Sequence, residues 1–123
     1  MPLKPIDVTN LLWAAAMLRV DISSSRLWLR SRTTLAGSLR GWRAKELCSC
    51  LWSLGLMRLS PGHRALEGMI SHLQLHLDTL PLQHVVNSMS GVARLNHMPP
   101  RECLEFIEDA IVRSLMEVRA HLC

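Results

Sequence analysis

Residues 10–20 read NLLWAAAMLRV, and residues 49–59 read SCLWSLGLMRL. The two stretches align at an offset of 39, which superimposes both Leu-Trp pairs and the arginine near each end. A weaker third copy follows 38 residues later, over 87–97, where Ser90 takes the place of the tryptophan. A recurring period of this length is typical of repeat proteins, so the chain is predicted to contain a structural unit repeated three times.

The apolar residues of each copy follow the period of an α-helix, which we call helix A. Three columns, at positions i, i+4 and i+7 of one helix face, are apolar in every copy. These columns are Val8/Leu47/Val85, Leu12/Leu51/Met89 and Ala15/Leu54/Val92. A fourth column is always small and is expected to let neighbouring helices approach closely: Ala16/Gly55/Ala93.

A second amphipathic stretch, helix B, follows each helix A. Its apolar series recurs at an offset of 38 as Trp28/Leu66/Leu104, Leu35/Leu73/Ile111 and Leu39/Leu77/Leu115. Prolines stand at several expected helix starts, where their missing N–H costs nothing. The predicted helices cover 6–20, 24–39, 43–58, 62–78, 82–96 and 100–121. The predicted fold is all-α: one domain over 1–123, an α-solenoid of three helix-turn-helix repeats at roughly 5–41, 42–80 and 81–121.

Composition indicates the compartment and the kind of assembly in which this domain is expected. No apolar run approaches the roughly 18 residues that a membrane span needs, so no membrane partner is expected. Four cysteines without an opening secretory signal indicate reduced thiols in an intracellular compartment. The first 18 residues also lack a transit peptide, so any import segment is expected to be removed or to lie outside the chain. Neither end looks capped, which predicts a longer solenoid or a larger assembly whose neighbouring proteins cover the apolar first helix and the acidic last helix.

Charge points to an anionic partner. The net charge is +4, and Arg supplies 12 of the 14 basic residues. The planar guanidinium donates hydrogen bonds in pairs and suits phosphate. The predicted contacts to RNA phosphate are Arg19, Arg26, Arg30, Arg32, Arg40, Arg43 and Arg58. The alternative is a solvated face, and for the two arginines that end helix A it is a cation beside the helix C-terminal dipole.

A polar column of helix A is the candidate for contacts with bases. Asn10, Ser49 and Asn87 lie roughly opposite the first apolar column, and short side chains of this kind read base edges in RNA-binding repeats. The alternative is again a solvated face. Trp13 and Trp52 either stack on bases or pack between units.

The chain carries no recognisable catalytic arrangement. We find no nucleophile–base pair, no paired carboxylates in a cleft and no phosphate-binding loop, so an enzyme is not expected. His72 and His76 have a zinc-compatible spacing, but nothing supplies the remaining ligands. Cys48 and Cys50 likewise lack a partner pair, and they are expected to fill the core. The sequence therefore predicts neither a metal nor a cofactor.

The first helix of the unit carries a family resemblance. The pattern Leu-Trp-Ala/Ser-x-Ala/Gly-x-Leu/Met, clearest over 11–20 and 45–59, resembles the octotricopeptide repeats of algal organelles. It is equally similar to the heptatricopeptide-type repeats of alveolate mitochondrial proteins, including those with a RAP domain. The resemblance implies RNA binding in the mitochondrion, or alternatively in the chloroplast, with roles in transcript stabilisation, processing, translation or ribosome structure.

The sequence is therefore compatible with two alternative functions. The first is an RNA-binding helical-repeat protein of organelle gene expression, a component of a divergent mitochondrial ribosome contacting rRNA or a binder of an organellar transcript. The second is a protein–protein scaffold, an α-solenoid adaptor without direct RNA contact. Phosphate binding weakens steeply with salt, whereas binding in an apolar groove does not, so salt dependence separates the two.

Overall fold

The structure, a computed structural model, describes residues 3–122. Over that range the chain forms six α-helices, one short 3-10 helix and no strand, which confirms the all-α prediction. The helices are α1 (Pro5–Leu18), α2 (Arg26–Ala36), α3 (Ala44–Met57), α4 (His63–Gln74), α5 (Leu82–Arg94) and α6 (Arg101–Leu122), with the 3-10 helix at Leu77–Thr79. Within the same range, no helix combines the length and the apolar character that crossing a membrane requires.

Two helices end three or four residues earlier than the sequence predicts. α2 ends at Ala36 instead of 39, because Gly37, a poor helix former, follows it in an extended conformation. α4 ends at Gln74 instead of 78, and the chain then tightens into the 3-10 helix. The Thr79 hydroxyl donates a hydrogen bond of 2.7 Å to the His76 carbonyl and so stabilises this tighter turn.

The three A helices pack side by side. α3 lies between α1 and α5, α2 packs against α4, and α6 packs against α5. All nine residues of the three predicted apolar columns are buried, none with more than 4% of its surface exposed. The predicted core face of helix A is therefore confirmed, and it forms the centre of the molecule.

The third B helix is less buried than the first two. In α2 and α4 the matching apolar residues Trp28, Leu35, Leu66 and Leu73 are buried, but on α6 only Cys103 is. Every α6 residue from 111 to 122 is exposed, including Leu115 of the apolar series at 62%. The apolar series of α6 therefore matches that of α2 and α4 in sequence but not in burial, and α6 packs against α5.

α1, α3 and α5 end in the same hydrogen-bonded turn. Arg19, Arg58 and Asn96 adopt the left-handed conformation, with φ of 55°, 51° and 58°. The residue after each one donates its N–H to a carbonyl of the third buried column: Val20 to Ala15, Leu59 to Leu54 and His97 to Val92. This pairing is that of a Schellman helix end, and it recurs at the offsets of the sequence repeat.

A close approach of helix backbones fixes the packing of α3 on α5. A Cβ built on Gly91 would stand 2.1 Å from the Leu51 carbonyl oxygen, and one built on Gly55 would stand 2.4 Å from the Gly91 Cα. The residues of the small column were expected to contact one another where neighbouring A helices meet. Gly55 does so, but its partner is Gly91, whereas Ala93 is exposed.

Candidate nucleic-acid interface

A groove of about 290 Å³ is lined by side chains of all three A helices, α1, α3 and α5. Trp13 of α1 and Trp52 of α3 both line it, together with Lys45, Ser49, His84, Asn87 and the edge of Cys48. We call this feature the tryptophan groove. It unites two predicted base-contacting residues with both tryptophans that recur in the repeat.

Helical spacing explains how these side chains meet. Lys45, Ser49 and Trp52 stand at i, i+4 and i+7 on α3, which places them on one face. On α1 and α3 each tryptophan directly follows a buried leucine of the second apolar column, so it lies beside the core face. Packing of the helices in register then places the two indoles at one groove.

The indoles are accessible to a ligand. Trp13 is 51% exposed and Trp52 is half-buried, so neither serves only as core. In contrast, Trp28 and Trp42 are each only 6% exposed. Trp13 therefore leaves a large aromatic surface in water, which is costly unless a partner covers it.

Polar groups at the tryptophan groove complement the indoles. The Gln83 Nε2 donates a hydrogen bond of 2.9 Å to the Asn87 Oδ1, which orients the amide so that its NH₂ remains as a donor. The buried His84 Nδ1 has no hydrogen-bond partner within residues 3–122. The exposed Lys45 adds a cation at the edge of the groove.

Asn10, the third predicted base-contacting residue, lies outside this lining. It is exposed on α1, one turn before Trp13, while Ser49 and Asn87 lie at the groove itself. The structure thus brings two members of the predicted polar column together and leaves Asn10 outside the groove, on the same helix as Trp13.

Arg19 and Arg58 share a separate groove of about 820 Å³ at the C-terminal ends of α1 and α3. The Arg58 Nη1 donates to the carbonyl oxygen of Arg94, the last residue of α5, at 3.5 Å, which places its charge at that helix's C-terminal dipole. Asp21 also lines the groove, and hydrogen bonds from Ser23 hold the pKa of its carboxyl below the usual value. An ionised carboxylate there opposes phosphate, and the contact with the Arg94 carbonyl favours the helix-end interpretation of Arg58.

The other five arginines predicted to contact phosphate lie at different positions on the surface. Arg26 and Arg32 line a small groove beside the start of α2, whereas Arg30 and Arg40 line another that reaches the start of α1. Arg43 caps α3, where its backbone N–H donates to the Glu46 carboxylate at 2.8 Å. All five are exposed, and the four that line these two grooves do so in separate pairs.

The remaining sequence candidates have structural roles. The ring Nε2 of His72 is 3.2 Å from the Trp42 carbonyl oxygen, which ties α4 to the α2–α3 connection. Cys48, Cys50 and Cys103 are buried free thiols, and Cys123 lies outside the described residues. Burial raises the pKa of Cys48 to about 11 and that of Cys50 to about 12, as expected of protonated core thiols.

Sequence reasoning missed two residues of the tryptophan groove. Lys45 precedes Ser49 by one turn and Trp52 by two, a spacing that would have placed it on the same face. His84 precedes Asn87 by three residues and gave no signal of its own. Only the packing of α5 on α3 brings it to the indoles.

Comparison of the chain with protein-family models, curated proteins and solved structures finds no match.

Proposed function

We propose that the protein is an RNA-binding helical-repeat protein whose three helix-turn-helix units form a short α-solenoid. Single-stranded RNA lies across the A helices, and bases stack at the tryptophan groove. The single observation that carries this proposal is the meeting of Trp13, Trp52, Ser49, Asn87 and Lys45 at one accessible groove.

Each group in the groove has a separate part in recognition. An accessible indole contributes about 1–3 kcal/mol per stacked base and tolerates any base. The Ser49 hydroxyl and the Asn87 amide supply donors and acceptors for base edges. Lys45 contacts the backbone phosphate. Because Ser90 replaces tryptophan in the third copy, we infer two stacked bases and not three.

The arginines of α2 contribute through long-range attraction. Arg26, Arg30 and Arg32 lie on an exposed, net-positive helix, which draws RNA to the protein without defining its sequence. Following the octotricopeptide-type resemblance, we place this activity in organelle gene expression, in the mitochondrion or alternatively the chloroplast. A divergent mitochondrial ribosome, with rRNA as the ligand, is the proposed setting. The protein acts by binding and not as an enzyme.

Trp13→Ala tests the proposal, with Met98→Ala as the matched control. Trp13 is half-exposed, so its loss leaves the core intact, and Met98 is an apolar side chain that is 81% exposed away from the groove. Affinity for a fluorescently labelled oligouridine is measured by anisotropy at several salt concentrations. Trp13→Ala is expected to weaken binding roughly 5- to 150-fold, since it removes one stacking contact.

The salt slope should stay unchanged in Trp13→Ala, because stacking releases no counterions. Met98→Ala should bind like the wild type. Equal affinity of Trp13→Ala and wild type, or no oligouridine binding by either, contradicts the proposal.

A second candidate function has one observation in its favour. On α6, Ile111, Leu115, Val118 and Leu122 form an apolar row at helical spacing, and all four are exposed. Such a face is what a protein scaffold presents to a partner helix. If oligouridine does not bind and the protein self-associates or captures a helical partner through α6, the scaffold is the better account.

A further inference from the structure

Three metal-binding side chains meet where α4 faces the turn after α5. His63 and Glu67 lie one turn apart on α4, and His97 lies in the connection from α5 to α6. The His97 Nε2 is 2.8 Å from the Glu67 Oε1, and the His63 Nε2 is 3.9 Å from the same oxygen. The three ligand atoms all lie within 4.8 Å of one another.

We propose that His63, Glu67 and His97 form a binding site for Zn²⁺. Tetrahedral zinc with bonds of about 2.0–2.2 Å holds neighbouring ligand atoms about 3.3–3.5 Å apart. The two contacts to Glu67, at 3.9 and 2.8 Å, lie on either side of that separation. His63 is 76% exposed, so its ring closes on the metal without moving any packed residue.

The chemistry of the three ligands favours zinc over other common metal ions. Two imidazoles and one carboxylate suit zinc, and they leave a fourth position for water. Calcium and magnesium prefer oxygen ligands throughout, so the two histidines disfavour them. The imidazoles bind in their neutral form, and any proton they carry is released on binding.

The position of His97 depends on the fold, because spacing in the sequence does not place it near the other two ligands. His97 follows the left-handed Asn96, and its N–H is bonded to the Val92 carbonyl at 3.2 Å, so the helix-ending turn of α5 holds its backbone. Its side chain is only 15% exposed. The corresponding residues after α1 and α3 are Val20 and Leu59, which do not bind metals. The ion therefore links α4 to the turn after α5 and braces the second unit against the third.

This site departs from the expectation of no metal, which considered His72, His76 and the cysteines. The proposal is independent of RNA binding. Isothermal titration calorimetry of the full chain, stripped with a chelator and titrated with ZnCl₂, tests it. We expect one zinc per chain and an unfolding temperature that rises with added zinc.

The variants separate this site from other ligands. Glu67→Gln and His97→Ala should each weaken zinc binding by at least about tenfold, because loss of outer-shell partners alone costs about 10- to 100-fold. The control His72→Ala/His76→Ala should bind zinc like the wild type. The near-ultraviolet spectrum of the Co²⁺-loaded protein should lack the thiolate-to-Co²⁺ charge-transfer band, which excludes cysteine ligation.

Three results would overturn the proposal. They are no zinc binding by the wild type, unchanged affinity in both Glu67→Gln and His97→Ala, or a thiolate band in the Co²⁺ spectrum.

Discussion

Replacing Gly91 with alanine is expected to lower the free energy of unfolding by about 2 kcal/mol. The new Cβ would stand 2.1 Å from the carbonyl oxygen and 2.7 Å from the carbonyl carbon of Leu51. Both atoms belong to the backbone of α3, so no side-chain rotation relieves the clash, and α5 must move away by about 1 Å. Overpacking of this kind costs about 1–3 kcal/mol, at the upper end against rigid backbone, while the gain in helix propensity returns up to about 1 kcal/mol.

Urea unfolding followed by far-ultraviolet circular dichroism measures this loss. With a slope of about 1–3 kcal/mol per molar urea, the midpoint should fall by about 1 M. Gly68→Ala is the matched control, because its new Cβ on α4 meets only the Leu39 Cδ1, at 3.8 Å. That variant should gain up to about 1 kcal/mol from helix propensity. If Gly91→Ala is as stable as Gly68→Ala, the backbones of α3 and α5 are not in contact and the packing described here is refuted.

Two further predictions concern charge and burial. Replacing three arginines of α2 together by glutamine should flatten the salt slope of RNA binding by up to about 0.7 for each lost phosphate contact, and an unchanged slope in anisotropy titrations would remove α2 from the interface. The substituted residues are Arg26, Arg30 and Arg32. Folding raises the pKa of the Cys48 thiol from 9.0 to about 11, so its stabilising effect is complete below pH 9 and is lost as pH rises towards 11. The urea midpoint of the wild type should therefore fall above about pH 9, and that of Cys48→Ala should fall less. If the midpoint falls equally in both proteins, the Cys48 thiol does not cause the pH dependence.

The sequence was sufficient to predict the helices and their core face. The apolar columns repeat with one period, and hydrophobic spacing is a local property that each helix carries by itself. Residues such as Leu12, Leu51 and Val92 are buried as predicted. The ends of α2 and α4 were less accurate, because a glycine and a threonine hydroxyl compete locally with continued helix.

Features that depend on contact between helices were not predictable in the same way. The left-handed φ of Arg19 and Arg58 is unusual for arginine, and only the helix-ending hydrogen bonds explain it. The register of α3 on α5 decides that Gly55 meets Gly91. It also decides that His84 joins the tryptophan groove, since nothing in the residues around it specifies its neighbours on α3.

The metal-binding cluster shows the same limit. His63 and Glu67 have a spacing that is common on solvated helices, and His97 lies 30 residues further along the chain. Their proximity depends on how α4 lies against the turn after α5. Likewise, the apolar pattern of α6 did not distinguish its exposed second half from the buried B helices.

Ultraviolet crosslinking of the full chain to oligouridine, followed by mass spectrometry of the crosslinked peptides, tests the central claim most directly. Crosslinks are predicted on the α1 and α3 peptides that contain Trp13 and Trp52, and excess unlabelled oligouridine should remove them. Crosslinks confined to α2, or no specific crosslink at all, would contradict binding of RNA at the tryptophan groove.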